Sequence, residues 1–153
     1  MSNTYKKLQV VKRVTDPTEA LKVVDVEKPA TLQPGQALVR VLHTGCNATD
    51  INQFLGAYNP PGVDVPFDCG FEAIVQIEAI GESTEEKPIP AAVKVGAFAL
   101  CFGGSCYAEY VVVNAATGLI PGIPTADAKF LNVPISAMTA AVALGEQGGW
   151  KGQ

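Results

Sequence analysis

The chain of 153 residues carries a net charge of −4, with 11 basic and 15 acidic side chains, and its length fits one domain. This acidic balance argues against a nucleic-acid surface, which normally needs a basic face. No unbroken run of eighteen apolar residues occurs and the N-terminus has no apolar signal segment, so neither a spanning helix nor secretion is expected. The composition therefore predicts a cytoplasmic protein without a nucleic-acid or membrane partner.

The dominant sequence period along the chain is two, which is typical of β-strands. Five segments show it or are apolar on both faces: KKLQVVKRV, GQALVRVLHTG, FEAIVQIEAIGE, VGAFALCF and SCYAEYVVVNAA. In the second segment, Val39, Val41 and His43 are expected on one face. Turn signals separate the segments at Asp16-Pro17, Pro34-Gly35, Pro60-Pro61-Gly62, Gly103-Gly104 and Pro121-Gly122. Many short strands without regular intervening helices predict a mainly β chain with short helices, folded as a barrel or a sandwich.

Two helical patterns and one polar loop interrupt the strands. The segment NATDINQFLG is predicted to start with an Asn47 cap and to end at Gly56. The segment VPISAMTAAVALGEQGG is predicted to form the last helix, with Pro134 in its first turn and Gly148-Gly149 at its end. Residues 82–94 are polar, acidic and proline-bearing, so we expect an exposed loop there.

Four cysteines bear on metal binding and redox state, namely Cys46, Cys69, Cys101 and Cys106. None forms a Cys-x-x-Cys pair, and His43 is the only histidine, so a structural zinc site is not expected. We interpret the four as buried or half-buried thiols. Cys101 and Cys106 flank FGGS and could meet across a hairpin, where a disulfide would be unusual in the cytosol.

Four motifs follow one another along the chain, GCNATDINQFLGAYNP, PFDCGFEAIVQIEAIG, SCYAEYVVV and PISAMTAAVAL. Their order resembles the catalytic half of the medium-chain dehydrogenase/reductases. The resemblance is strongest to the zinc-independent branch of quinone oxidoreductases, enoyl reductases and prostaglandin reductases, and it covers essentially the whole chain. It implies a GroES-like, partly open β-barrel with a helix that leads out of it toward a Rossmann domain.

The residues at the family's metal positions imply that this chain binds no zinc. In zinc-dependent members a Cys lies three residues before the Asp of the first motif, and a Gly-His-Glu sequence supplies a second ligand. Here Asn47 stands three residues before Asp50, and Phe71 replaces the histidine in GFE. A Phe side chain has no donor atom, and an Asn amide is a poor zinc ligand. Oxidation of an alcohol through a metal-bound alkoxide is therefore not expected.

Reduction of a conjugated double bond needs a hydride donor on one carbon and a proton source on the other. Tyr58 in LGAYNP is similar to the tyrosine that donates the proton in related enoyl thioester reductases, and a phenol is a plausible acid. The alternative is an aromatic lid on a Pro-rich loop. By the same resemblance, Asn47 and Thr49 would lie at the base of the catalytic cleft.

The resemblance also implies residues that face an NADPH cofactor, namely Asn47, Asp50 and Thr139. The Asn47 amide would hydrogen-bond the nicotinamide ribose or the substrate, or it would serve only as a helix cap, because Asn-x-x-Asp before an apolar run is a capping pattern. Asp50 and Glu72 are expected to be structural and to bond backbone groups or a basic partner. Thr139, early in the last helix, resembles a threonine that approaches the nicotinamide in relatives.

The resemblance divides the chain into residues 1–134, the GroES-like catalytic domain, and residues 135–153, a connecting helix and the start of a nucleotide-binding domain. In relatives the segment matching LGEQGGWKGQ is followed by a strand and a Gly-rich phosphate loop. The chain has no Gly-x-Gly-x-x-Gly fingerprint after a strand. We therefore expect it to correspond to one half of an enzyme and to be inactive by itself.

The expected activity of the whole enzyme is NADPH-dependent reduction of enones or quinones by hydride transfer, with a small-molecule substrate and a possible homodimer. The alternative is a non-catalytic GroES-like module that binds a partner through the face that meets the second domain in relatives. A chaperonin-like ring subunit is a third interpretation. It is disfavoured because the polar cluster of Asn47, Asp50 and Tyr58 would have no role there.

Overall fold

A computed structural model describes residues 3–58, 63–103 and 105–147 of the chain. The turn predicted at Pro60-Pro61-Gly62, the residue Gly104 and the helix end predicted at Gly148-Gly149 lie outside these residues. Eight strands and two short α-helices come first, and a helical segment follows them. The strands are β1 (Thr4–Val10), β2 (Leu21–Glu27), β3 (Gln36–Thr44), β4 (Phe67–Asp68), β5 (Glu72–Ile80), β6 (Phe98–Phe102), β7 (Tyr110–Asn114) and β8 (Leu119–Ile123).

The helices are α1 (Pro17–Ala20), α2 (Ala48–Phe54) and α3 (Met138–Val142). The last of them lies inside a longer helical segment, residues 128–147, which we call the last helix. It opens with a 3-10 turn (Ala128–Asn132), and π-helical turns (Val133–Ala137 and Ala143–Gln147) flank α3. The predicted helix is thus present but is not a regular α-helix. Pro134 lacks the N–H that would continue the ladder, and little of the segment is buried, so packing does not enforce α geometry.

The strands form two antiparallel sheets that do not close into a complete barrel. One sheet has three strands in the order β2-β1-β4, and the other has five in the order β7-β3-β5-β6-β8. The Leu8 N–H donates to the Tyr107 carbonyl at 2.7 Å, and the Glu109 N–H donates to the Lys6 carbonyl at 2.9 Å, which joins the two sheets. The mainly β, partly open architecture predicted from the sequence is confirmed.

The core lies on one face of the five-stranded sheet. Val39 of β3 and Val75 and Ile77 of β5 are fully buried there, together with Ala99 and Cys101 of β6. This is the alternation that the sequence predicts for β5, with Gln76 and Glu78 outward. Burying a Val or Ile side chain contributes about 1.5–3 kcal/mol relative to leaving it exposed.

Two predicted turns are parts of other elements. Asp16 caps α1, because its carboxylate accepts from the Thr18 N–H at 2.8 Å, and β2 follows directly at Leu21. The turn predicted at Pro121-Gly122 is wrong, since both residues lie within β8. A proline is tolerated there because β8 is an edge strand, and Gly122 supplies a φ of 94° beside a register shift.

A bulge in β3 corrects the predicted position of His43. The pairing of β3 with β5 shifts between Val41 and His43, so Val41 faces Val75 and His43 already faces Ile74. The extra residue turns His43 outward, and its side chain is exposed. The predicted face of Val39, Val41 and His43 therefore holds for the first two only.

All four cysteines are free thiols, and three of them are buried as predicted, whereas Cys46 is exposed. The sulfur atoms of Cys101 and Cys106 lie 4.0 Å apart. A disulfide needs about 2.05 Å, so the two thiols are in contact without a bond. Residues 82–94 form the loop that the sequence predicts, without a helix or strand.

The last helix differs from one sequence-based expectation. Its Ala128–Gly145 portion has 18 residues and is long and apolar enough, by length and composition only, to cross a membrane. A search for an unbroken apolar run misses it, because polar residues such as Lys129 and Thr139 interrupt the segment. Few of its residues are buried in the described structure.

Candidate active site

The start of α2 is organised by the buried carboxylate of Asp50, which is 4% exposed. One oxygen accepts from the Asn47 N–H at 2.8 Å and the other accepts from the Phe71 N–H at 3.2 Å. Asn47 is the N-cap of α2, as predicted, and the bond to its N–H is half of a capping box. Asp50 thus connects α2 to the chain just before β5, and its bonds go to backbone groups as expected.

Glu72, the first residue of β5, is 2% exposed and joins three elements. Its Oε1 accepts from the Asn47 side-chain Nδ2 at 2.8 Å, and its Oε2 accepts from the Ile135 N–H of the last helix at 3.2 Å. Its backbone carbonyl accepts from the Thr44 hydroxyl at 3.0 Å and from the Gly45 N–H at 3.2 Å. Buried polar groups need such partners, and here they come from β3, α2 and the last helix.

Gly45 is required by the close approach of this carboxylate. A Cβ at position 45 would lie 2.9 Å from Glu72 Cγ and 3.0 Å from its Cδ, and closer still to Oε1. Real Cβ atoms do not approach other heavy atoms so closely, so a larger residue would push Glu72 out of position. The first glycine of GCNATD is therefore explained by the packing of the site.

Tyr58 and Phe71 form the aromatic side of the site. Their ring centroids are 6.3 Å apart with an angle of 58° between the planes. Tyr58 is 56% exposed, and its N–H donates to the Asn52 carbonyl of α2 at 3.2 Å. The hydroxyl therefore stands at an accessible surface, on a backbone that is anchored to α2.

Thr49 and Thr139 occupy different parts of the site. Thr49 is half-buried in the first turn of α2, next to Asp50. Thr139 is exposed on α3, one helical turn after Ile135, whose N–H is bonded to Glu72. The structure thus links Asn47, Asp50, Phe71 and Glu72 directly, and it connects Thr139 to them only through the backbone of the last helix.

Two cavities flank α2. A polar one of about 460 Å³ is lined by Gln53, Phe67 and the Lys7–Asp68 ion pair, whose atoms are 2.8 Å apart. An almost wholly apolar one of about 310 Å³ lies between α2 and the β1–β2 hairpin, beside Tyr107. Both volumes fall within or close to the size range of small-molecule pockets.

Burial changes the acidity of groups behind α2. It raises the pKa of the Tyr107 phenol, and neighbouring Cys46 and Asp50 add to that effect. The Tyr107 hydroxyl donates to the Gly45 carbonyl at 3.1 Å. Burial also raises the pKa of the Cys69 thiol to about 12, with smaller contributions from Asp50 and Asp68. Both groups are therefore neutral at physiological pH and act as packing and hydrogen-bonding groups.

The two positions that the resemblance assigns to metal ligands hold groups with other contacts. The Asn47 amide nitrogen is bonded to Glu72, and Phe71 contacts Tyr58. Within residues 3–58, 63–103 and 105–147, no three His, Cys, Asp or Glu side chains gather as a metal site. That the chain binds no zinc stays a prediction.

The bonds of Glu72 to Asn47 and Ile135 were not predicted from the sequence. Glu72 directly follows the Phe that the resemblance assigns to the second metal position, and it comes immediately before the apolar residues 73–75 at the start of β5. This position in the sequence is the feature that could have indicated that the Glu72 carboxylate points into the site. The partner N–H of Ile135 could not be found, because it is 63 residues away along the chain.

Comparisons with known proteins show the family to which this fold belongs. Residues 33–125 match the alcohol dehydrogenase GroES-like domain, so the chain belongs to that family. Over 146 residues, it is 38% identical to a probable quinone oxidoreductase of Leishmania amazonensis, and over 116 residues it is 37% identical to prostaglandin reductase-3 of Bos taurus. The chain is thus a member of the medium-chain dehydrogenase/reductase superfamily, in its quinone oxidoreductase and enoyl reductase branch, as the motifs predict.

A solved quinone oxidoreductase from Pseudomonas syringae has the same fold, with a TM-score of 0.73 at 22% identity over 94% of this chain. The matches cover 95% of this chain for the Leishmania relative and 75% for the bovine one. They cover only 40% and 28% of those proteins, and 41% of the solved chain. The chain therefore spans about two fifths or less of the length of these relatives.

Proposed function

We propose that this chain is the catalytic, substrate-side part of an NADPH-dependent, zinc-independent oxidoreductase that reduces conjugated enones or quinones by hydride transfer. The observation that carries the proposal is the chemistry at the two metal positions of the family. The Asn47 amide is bonded to Glu72 and the Phe71 ring lies against Tyr58. Without a metal to polarise an alcohol, an already conjugated acceptor is the substrate class that fits.

The groups around the site suit the nicotinamide end of a dinucleotide. Thr139 is exposed on α3, and Tyr58 is exposed just after α2, where its N–H donates to the Asn52 carbonyl. The Asn47 amide at the start of α2 is bonded to Glu72, which also accepts from the Ile135 N–H of the last helix. When bound, the dinucleotide supplies a hydride. In the proposed reaction, Tyr58 Oη donates a proton, or a hydrogen bond, to the substrate, and Thr49 and Thr139 orient the reactants.

The proposed division of the chain follows from the same resemblance, with residues 1–134 as the substrate-side domain and residues 135–153 as the connection to a nucleotide-binding domain. A cytoplasmic location fits the four free thiols. A soluble homodimer without nucleic-acid or membrane partners completes the proposal.

One observation favours a second function, that of an interaction module. Four apolar side chains of the last helix are 43–57% exposed, namely Val133, Met138, Val142 and Leu144. Several exposed apolar residues on one segment are typical of a surface that another domain or protein covers.

The test uses the natural protein that carries this chain, incubated with NADPH labelled with deuterium at the reactive carbon. We expect consumption of NADPH and transfer of deuterium to a cyclic enone, or reduction of a quinone, with no reaction of a saturated ketone. Comparable oxidation of a primary alcohol with NADP⁺, or no reaction with any of these acceptors, would refute the proposal.

A further inference from the structure

We propose that Glu72 is a positioning residue that holds α2 and the last helix at a fixed separation, and thereby sets the spacing between Tyr58 and Thr139. This inference rests on the proposed function and deepens it. Glu72 itself is buried and touches neither a substrate nor a cofactor in the proposed reaction. Its effect would act through the two elements to which it is bonded.

The two carboxylate oxygens have donors from different elements. Oε1 accepts from the Asn47 side chain at 2.8 Å, and Oε2 accepts from the Ile135 N–H at 3.2 Å. A carboxylate only accepts hydrogen bonds, and both donors here bring an N–H. One rigid planar group therefore fixes the distance between the cap of α2 and the last helix.

Glu72 is itself held firmly enough to serve as a reference point. It begins β5, the central strand of the five-stranded sheet, between β3 and β6. Its carbonyl accepts two further hydrogen bonds at the end of β3, from Thr44 and Gly45. Gly45 leaves room for the carboxylate, because a Cβ at that position would lie within 3.0 Å of three Glu72 side-chain atoms.

Short stretches of backbone connect the two hydrogen bonds of the Glu72 carboxylate with Tyr58 and Thr139, the candidate reacting groups. On one side, Asn47 caps α2, and the Ala57 and Tyr58 N–H groups both donate to the Asn52 carbonyl near the end of that helix, at 3.0 and 3.2 Å. On the other side, Thr139 follows Ile135 by one helical turn. A shift of Glu72 would therefore change the spacing between Tyr58 and Thr139.

Exchanging donor and acceptor tests the bridge. Asn47→Asp keeps the shape and capping ability of residue 47 but places two acceptors opposite each other. Adding Glu72→Gln restores the bond in reverse, because the new amide nitrogen donates to the Asp carboxylate while its oxygen accepts from the Ile135 N–H. Glu78→Gln is the matched control, since Glu78 lies on the same strand, is exposed and pairs with Arg40.

Two measurements are made on this series. In the 153-residue chain, we expect faster hydrogen exchange of the Ile135 N–H in Asn47→Asp, recovery in the double variant and no change in Glu78→Gln. In the natural protein, we expect kcat to fall roughly 10²-fold in Asn47→Asp with KM little changed, as for a misplaced reacting group. The double variant should regain most of this turnover.

The outcomes separate the two proposals. Unchanged Ile135 exchange in Asn47→Asp would overturn the bridge whatever the activity. Faster exchange with unchanged kcat, or recovered exchange in the double variant without recovered kcat, would overturn the positioning role. If the wild-type natural protein transfers no hydride, the proposed function fails, while the exchange measurement still decides whether the bridge exists.

Discussion

Asp50 and Glu72 show how single buried carboxylates organise this site. Neither takes part in the ion pairs found among the described residues. Each is instead held by N–H donors from two different segments. A hydrogen bond to a charged group contributes about 1.5–3 kcal/mol, roughly twice a neutral one. These two carboxylates therefore connect α2 and the last helix to the sheet through hydrogen bonds.

For single residues, the exposure of the four thiols predicts which of them an alkylating reagent modifies. Cys46 is exposed and the other three cysteines are buried, and the pKa of Cys69 is raised to about 12 by burial. With iodoacetamide at pH 8, we expect rapid labelling of Cys46 alone in the native chain, because alkylation needs an accessible thiolate. Mass spectrometry of proteolytic peptides would check this, with Cys46→Ser as the control. Equal labelling of Cys69 would contradict the structure of this region.

Tyr58→Phe tests the proposed acid. The change keeps the ring that contacts Phe71 and removes only the hydroxyl. If proton donation limits the reaction in the natural protein, kcat on an enone should fall by roughly 10²–10⁴-fold, the usual contribution of a positioned acid. NADPH binding should change little. A rise in KM alone would indicate an aromatic lid, and near-wild-type turnover would mean that solvent or substrate supplies the proton.

The absence of zinc is a further prediction at the residue scale. By the resemblance of the motifs, Asn47 and Phe71 correspond to ligand positions of zinc-dependent members, and an amide or a phenyl ring does not replace a thiolate and an imidazole. Elemental analysis of chain purified without metal-affinity resin should find well below one zinc per molecule after dialysis against a chelator. Stoichiometric zinc that survives the dialysis would show that other residues bind it.

The α2 helix depends on its capping arrangement more than on its length. With seven residues it is too short to be stable by itself. Asp50→Asn would leave an amide NH₂ facing one of the two N–H donors, of Asn47 or of Phe71. We expect a loss of about 1–3 kcal/mol in the free energy of unfolding, measured by denaturant titration.

The matched control for that element is Asp25→Asn. Asp25 pairs with Lys6 at 2.9 Å on the exposed side of the β1–β2 hairpin, where solvent screens the pair, so its loss should change the free energy of unfolding little. The same loss in both variants would mean that the Asp50 bonds add nothing beyond a surface ion pair.

The last helix shows where local sequence preference and tertiary context diverge. Its apolar spacing predicts an α-helix, yet only Met138–Val142 has regular α geometry. Pro134 interrupts the hydrogen-bond ladder, and most side chains beyond it are exposed. Its attachment to the sheet depends on the Ile135 N–H and on contacts of its first turn with β5.

For the molecule as a whole, we predict that residues 1–153 alone bind NADPH poorly and have no appreciable reductase activity. No Gly-x-Gly-x-x-Gly fingerprint occurs in the sequence, and pyrophosphate binding normally uses such a loop at a helix N-terminus. Calorimetry should show no saturable binding in the micromolar range, which corresponds to about −8 kcal/mol. The natural protein is the positive control, and tight 1:1 binding by the 153-residue chain would disprove the prediction.

Much of the fold could be predicted because it depends on local patterns. The alternation in β5, the Asn47 cap of α2 and the exposed loop of residues 82–94 were all found from the sequence. The strands β2 and β4 were not predicted. In β2, LKVVDVE, charged residues alternate irregularly with apolar ones along a half-exposed edge strand. The two residues of β4 are too few to show a sequence period. Edge strands are decided by their neighbours rather than by their own composition.

The sequence by itself determined the family and the mainly β class, because both depend on local motifs and on residue periodicity along the chain. Only the tertiary structure decided that the bulge turns His43 outward, that Cys46 is the exposed thiol and that Glu72 connects α2 with the last helix. Those outcomes depend on the register between strands and on hydrogen bonds between residues as many as 63 positions apart. A linear pattern does not contain such pairings, since they arise only when the sheets have formed and buried polar groups must find their partners in space.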